Sequence, residues 1–181
     1  RLRPGSKGRR HRGHSETLSA SYHDTNGEFM TATERTLVLA KPDAMQRGLA
    51  TEILVRLERR GLRIIALKLI RIDEALAAKH YAEHVGKPFY AGLVEYITSG
   101  PVVAAVFEGP NAIQAVRSTI GSTNPIEATP GSIRADYGLE KGRNLVHASD
   151  SPESGTREAA LFFRPEEMIA WSRDTDRWIT E

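Results

Sequence analysis

Cysteine is absent from all 181 residues, which excludes disulfides, thiolate nucleophiles and cysteine-ligated zinc or iron–sulfur centres. That composition suits a reducing cytoplasm, the compartment expected. Long apolar runs are missing as well: none approaches the roughly 20 residues of a membrane-spanning helix, so no membrane partner is expected. Aromatics make up only 7% of the chain, and of the predicted strands 62–72 and 102–108 only Phe107 carries a ring. A sheet that stacks RNA bases needs more than that. A strong charge bias is lacking too. Residues 1–29 hold six Lys/Arg against three Asp/Glu, whereas residues 30–181 hold 19 against 20, so the net +2 comes from the leading segment. The domain itself gives no reason to expect a specific nucleic-acid partner.

Familiar nucleotide-binding signatures are also missing. Lys87 follows Gly86, but position 81 is Tyr and position 88 is Pro, so there is no Gly-x4-Gly-Lys-[Ser/Thr] phosphate loop. Nor is there a Gly-x-Gly-x-x-Gly fingerprint. His80 and His84 stand four apart without a His-Glu-x-x-His framework, so no protein-held metal is expected. A nucleotide, if bound, has to be held by another design.

What is present begins with residues 1–29, rich in Arg, Gly, Ser and His and poor in large apolar side chains. They are expected to form a disordered basic extension. One domain is expected over residues 30–181. Thr36–Ala40 is a short apolar run suited to a buried strand, stopped by Lys41-Pro42-Asp43. Ala50, Ile53, Leu54 and Leu57 fall at helical spacing, closed by Arg59, Arg60 and Gly61. Residues 62–72 read as a second strand, Asp73 as the N-cap of a helix reaching His84, and residues 89–98 as a further helix. Residues 102–108 form a third strand, with Asn111 capping a helix to Ile120. Residues 121–136 read as a long loop with two prolines, 145–148 as a fourth strand, 152–163 as a helix, and Pro165 as the start of a last helical stretch. This order predicts an α+β domain with the βαββαβ skeleton of a ferredoxin-like sandwich. Its sheet is mixed or, as the skeleton favours, antiparallel, with helices on one face and extra helices appended.

Chemistry concentrates in residues 142–151. Leu145 and Val146 deliver His147 to a turn of hydroxyls and carboxylate, Ser149-Asp150-Ser151. A partly neutral imidazole is a competent nucleophile near neutral pH, although the same pattern also describes a polar strand end. Arg117, Thr123, Asn124 and Arg134 lie in or beside the long loop. Two guanidinium forks and a hydroxyl suit a polyphosphate, and equally a solvated surface. Lys41, directly after a strand, either joins such a pocket or faces water. Tyr81 and Phe89 flank Gly86-Lys87-Pro88 and read as core or as ligand-stacking rings.

These pieces form an ordered set: Lys41-Pro42-Asp43-Ala44, Phe89-Tyr90-Ala91-Gly92-Leu93, Ser99-Gly100-Pro101-Val102, Thr123-Asn124-Pro125, Gly131-Ser132-Ile133-Arg134-Ala135-Asp136 and Asn144-x-x-His147-x-Ser149-Asp150-Ser151. Through them, residues 34–181 resemble nucleoside diphosphate kinase. The resemblance implies a ferredoxin-like subunit that moves the γ-phosphate of a nucleoside triphosphate, ATP being the expected donor, to a nucleoside diphosphate in two steps. By that resemblance His147 is the phosphorylated nucleophile, Glu158 the carboxylate on its other ring nitrogen, and Ser149 a hydroxyl beside the pair. Arg117, Thr123 and Arg134 match phosphate ligands, and Lys41 and Asn144 match contacts to sugar hydroxyls and phosphate. Tyr81 matches a neighbour of the phosphates and Phe89 the base-stacking ring. The resemblance also implies Mg2+ carried by the nucleotide rather than by a protein cage, and a homo-oligomer, a hexamer by the length of the C-terminal extension. Ala148 departs from the glycine common in the family, a small intrusion at negative φ but costly at positive φ. Joint retention of His147, Glu158, Arg117, Arg134 and Asn144 argues against a catalytically dead homologue.

Overall fold

The computed structural model describes residues 22–23, 29–30 and 33–180. Tyr22–His23 pairs antiparallel with Phe29–Met30; the rest of the expected basic extension lies outside the described residues. The compact unit that carries the chemistry is Thr33–Glu181.

Its first strand, β1 (Thr33–Ala40), is followed by a single-turn helix α1 (Pro42–Gln46) and by α2 (Ala50–Arg59). Next come β2 (Arg63–Arg71), α3 (Glu74–His80), α4 (Tyr90–Thr98), β3 (Pro101–Pro110) and α5 (Ala112–Ile120). A short helix α6 (Ile133–Tyr137), the strand β4 (Val146–Ala148) and α7 (Pro152–Phe162) complete the set. The sheet runs β2-β3-β1-β4 and every pairing is antiparallel, the ferredoxin-like order.

Helices cover both faces of this sheet, not one. Val38 and Ala40 of β1 pack with Ile53 and Leu57 of α2 and Val116 and Ile120 of α5. Leu37 and Leu39 turn the other way, onto Ala77 of α3, Ile97 of α4 and Phe162 of α7. The cause is visible in β1 itself, whose last five residues are all buried; a continuous apolar run marks a strand covered on both sides.

Two ends differ from expectation. Asn111 does not cap α5 with its side chain; its φ is +49°, and Glu34 accepts the Ile113 amide hydrogen bond instead, at 3.1 Å. Asparagine tolerates this left-handed backbone better than most residues. The stretch after Pro165 forms only 3₁₀ turns, Pro165–Glu167 and Asp176–Trp178. It runs beside the outer edge of β2, where Ile169 N donates to Ile65 O at 2.8 Å and the Trp171 indole donates to Ile64 O at 2.9 Å. An edge strand's free carbonyls are thereby occupied. The long loop, too, carries structure of its own: a 3₁₀ turn, Pro125–Glu127, and then α6.

Candidate active site

β4 sets the direction of His147. Its partner across the ladder is Leu39, so the imidazole leaves the sheet on the face covered by α3 and α7. There, Glu158 meets it from α7: His147 Nε2 lies 2.9 Å from Glu158 Oε2. Gly155 makes this meeting possible, because a Cβ at that position would collide with the Arg35 carbonyl of β1. The close approach brings Glu158, one turn further along the same helix face, down to the sheet. Ser151 caps α7 by accepting from Ser154 N at 3.1 Å, and Pro152 fits its first turn.

Ser149 completes the group. Its hydroxyl donates to Glu158 Oε2 at 2.8 Å and accepts from Leu37 N at 3.1 Å. Burial alone would raise the Glu158 pKa, but the hydrogen bond and charge of His147 and the Ser149 hydroxyl outweigh it and bring it down to about 2. A carboxylate only accepts, so the N–H of the neutral imidazole sits on Nε2 and the lone pair on Nδ1.

His147 opens onto a cleft of about 880 Å³, which Lys41, Tyr81, Phe89, Arg117, Thr123, Arg134, Asn144 and Glu158 also line. Of the ten residues given roles by the resemblance, Ser149 alone does not line it; it bonds to Glu158 instead. Phe89 stands at 55% exposure, its ring 5.5 Å from that of His84 and with the Lys87 ammonium 5.9 Å from its centre. Lys41 is buried and joined through Nζ to Asn144 Oδ1, while Asn144 Nδ2 donates to Thr123 O at 2.8 Å. Tyr81 is buried against His84, and burial with the nearby Glu158 charge raises its phenol pKa. Ala148 is not among the residues of positive φ, so its methyl causes no backbone strain.

Arg134 has a structural part beyond the phosphate contact expected of it. It is buried and spends three bonds on backbone carbonyls: Nε to Asn144 at 3.2 Å, and its terminal nitrogens to Gly121 at 2.8 Å and Val146 at 2.5 Å. It therefore ties the long loop to β4, with its remaining donors left for the cleft. Burial and then the neighbouring Arg117 lower its pKa to about 10, which leaves it charged at neutral pH.

Sequence reasoning missed His80. Its ring sits edge-on to that of His147, with ring centroids 4.6 Å apart. Only 6% exposed, it has no hydrogen-bond partner for either ring nitrogen, and burial followed by the His147 charge lowers its pKa to about 3. One potential ligand atom from each of His80, His147 and Glu158 lies within 4.8 Å of the others. The Glu158 oxygen is already shared by His147 and Ser149, so this group holds a ring in place more readily than it holds an ion.

Lys41 brings a pH-dependent charge to the cleft. Burial, partly offset by Asp43, lowers its pKa to about 8. Its charge is present below that value and lost above it, so affinity for nucleoside diphosphate is expected to weaken as pH rises through about 8. A calorimetric pH series on the wild type and Lys41→Met checks this: only the wild type should show the step.

Comparison with known proteins agrees with the geometry. The family model for nucleoside diphosphate kinase matches residues 34–168. The nucleoside diphosphate kinase of a Roseiflexus species is 59% identical over 148 residues, covering 82% of this chain and 99% of the relative. That of Archaeoglobus fulgidus is 57% identical over 148 residues, covering 82% and 98%. Among solved structures, a halophilic nucleoside diphosphate kinase from Halobacterium salinarum in complex with CDP superposes with a TM-score of 0.81 at 50% identity, covering 83% of this chain and all of that one. With the sheet order, the histidine–carboxylate pair and these relatives in agreement, the chain belongs to the nucleoside diphosphate kinase family.

Proposed function

We propose that this kinase carries the phosphoryl group on Nδ1 of His147. In the first half-reaction Nδ1 attacks the γ-phosphorus of a nucleoside triphosphate, ATP being the expected donor. The N–P bond forms, the bond to the β–γ bridging oxygen breaks, and the diphosphate leaves. In the second, a terminal oxygen of an acceptor diphosphate attacks the same phosphorus and the N–P bond breaks. One difficult displacement becomes two matched ones, with ping-pong kinetics. The observation that carries this reading is the 2.9 Å contact of Nε2 with Glu158, which commits one ring nitrogen and leaves the other uncommitted in a residue that lines a cationic cleft.

In this reading Glu158, oriented by Ser149, fixes the tautomer and stabilises the ring as positive charge develops on it. Arg117, Arg134 and Thr123 hold the transferring group, and their charges oppose the charge spread over its equatorial oxygens. Lys41 and Asn144 hold the sugar hydroxyls and the inner phosphates, and Tyr81 borders them. Phe89 stacks on the base and reads no hydrogen-bonding edge, which suits broad base tolerance. The CDP bound by the halophilic relative supports a diphosphate in this cleft. The cleft's carboxylates besides Glu158 are Glu83 and Asp150, too few for a dedicated magnesium cage; Mg2+ would arrive carried by the nucleotide and would offset phosphate charge. The proposed assembly is a homo-hexamer in the cytoplasm. Exposed Leu67 and Leu69 on the edge strand β2 give it an apolar contact surface.

Brief incubation with γ-labelled MgATP tests the relay. The protein should take up acid-labile, alkali-stable label and release it onto added GDP. Nucleotide binding without labelling, in an enzyme that turns over, would mean direct transfer between two bound nucleotides.

A further inference from the structure

Between Asn144 and His147 the chain makes a turn that leucine disfavours. Leu145 is fully buried at φ +70°, and Val146 N donates back to Asn144 O at 2.8 Å. A bond to the residue two positions earlier defines a γ-turn, and this positive-φ form is rare and strained. A bulky residue there persists only where its surroundings over-determine it. The turn also separates the two groups that matter most: Asn144 at the nucleotide and the strand that carries His147.

The surroundings that hold the turn are specific. Asp43, in the first turn of α1, accepts the Leu145 amide on Oδ2 at 2.9 Å. Its other oxygen accepts the Tyr96 hydroxyl at 2.5 Å and the Ala44 amide at 2.9 Å. From the other side, Lys41 N donates to Leu145 O at 2.9 Å. Tyr96 itself is buried on α4, with the Arg143 guanidinium 4.1 Å and the Lys41 ammonium 5.2 Å from its ring centre. The carboxylate is thus pinned by one fixed hydroxyl and in turn pins one strained amide.

We infer that Asp43, fixed by Tyr96, is a positioning residue for phosphoryl transfer: it holds the Leu145 turn that sets Asn144 and His147 at their working separation. Neither side chain touches the reacting atoms in this account. Small displacements of a reacting pair are costly, about a hundredfold for a shift near 1 Å.

The inference rests on His147 as the phosphorylated group, and the experiment separates the two claims. Single-turnover labelling by γ-labelled MgATP is followed by rapid quench for the wild type, Asp43→Asn and Tyr96→Phe. Asp43→Asn should slow phosphorylation roughly 10- to 100-fold while KM for ATP moves much less. Tyr96→Phe, which changes no charge and removes one hydroxyl, should slow it in the same direction by a smaller factor. The deficit should persist as pH falls far enough below 8 to protonate Lys41 even without the Asp43 charge that raises its pKa. Wild-type rates in both variants overturn the inference, even where melting temperature falls, because the pair then serves only the fold. A deficit that vanishes at low pH also overturns it, assigning Asp43 to the charge on Lys41. Absence of label on wild-type His147 removes the nucleophile itself, and this inference with it.

Discussion

Replacing His147 with alanine is expected to cut turnover by roughly 10⁴- to 10⁶-fold, the scale seen when a covalent nucleophile is removed. No neighbour is placed to substitute for it. The Ser149 hydroxyl already donates to Glu158 and accepts from Leu37. His80 lines the same cleft edge-on to the nucleophile, but both its ring nitrogens are buried and expose no lone pair to it. Nucleotide binding should survive, because Lys41, Phe89, Arg117 and Asn144 reach the cleft from other elements. Steady-state turnover and calorimetric binding of diphosphate, measured together, check this. A loss of less than tenfold would assign the phosphoryl carrier to another group.

Arg134→Ala is expected to fail in two ways at once. Three backbone carbonyls, of Gly121, Asn144 and Val146, lose their guanidinium donor. Leaving such groups unpaired costs on the order of 3 kcal/mol in total, since water reaches some of them. For a domain of this size, about 3 kcal/mol lowers Tm by roughly 6–12 °C. Turnover at a temperature where the variant is folded should still drop roughly 10²- to 10³-fold, the range for loss of one donor to a developing charge. Arg134→Lys separates the two roles: it restores a cation but not the planar fork, so it should recover little of the Tm. Thermal melts and turnover at low temperature give both readouts. Full stability in Arg134→Ala would contradict the tie between the long loop and β4.

Local patterns in the chain were enough to predict most of the sheet. Thr36–Ala40 and the 62–72 and 102–108 runs are strands at nearly those bounds, because their apolar density leaves no alternative to burial. The same run in β1 also held the clue to helices on both faces: Leu37 and Leu39 cannot be buried on the side that Val38 and Ala40 already face. Asn111 looked like a cap because Asn commonly caps helices; the amide it would have taken is satisfied by Glu34, 79 residues away in sequence. The cleft residues were legible through motif spacing. What each one does with its remaining hydrogen-bonding capacity was not, since Arg134's carbonyl partners and Asp43's hold on Leu145 arise only from folding. His80 was masked for the same reason: its neighbour at i+4 drew the eye, while the ring it meets lies 67 positions further along.

The most direct test of the relay is phosphorus NMR of the isolated phosphoenzyme, with the site located by mass spectrometry under alkaline conditions. The two phosphohistidine isomers differ in shift. A phosphoryl group on Nδ1 of His147 is the predicted result, because Nε2 is held by Glu158. Phosphate on Nε2, or on any residue other than His147, would contradict the account.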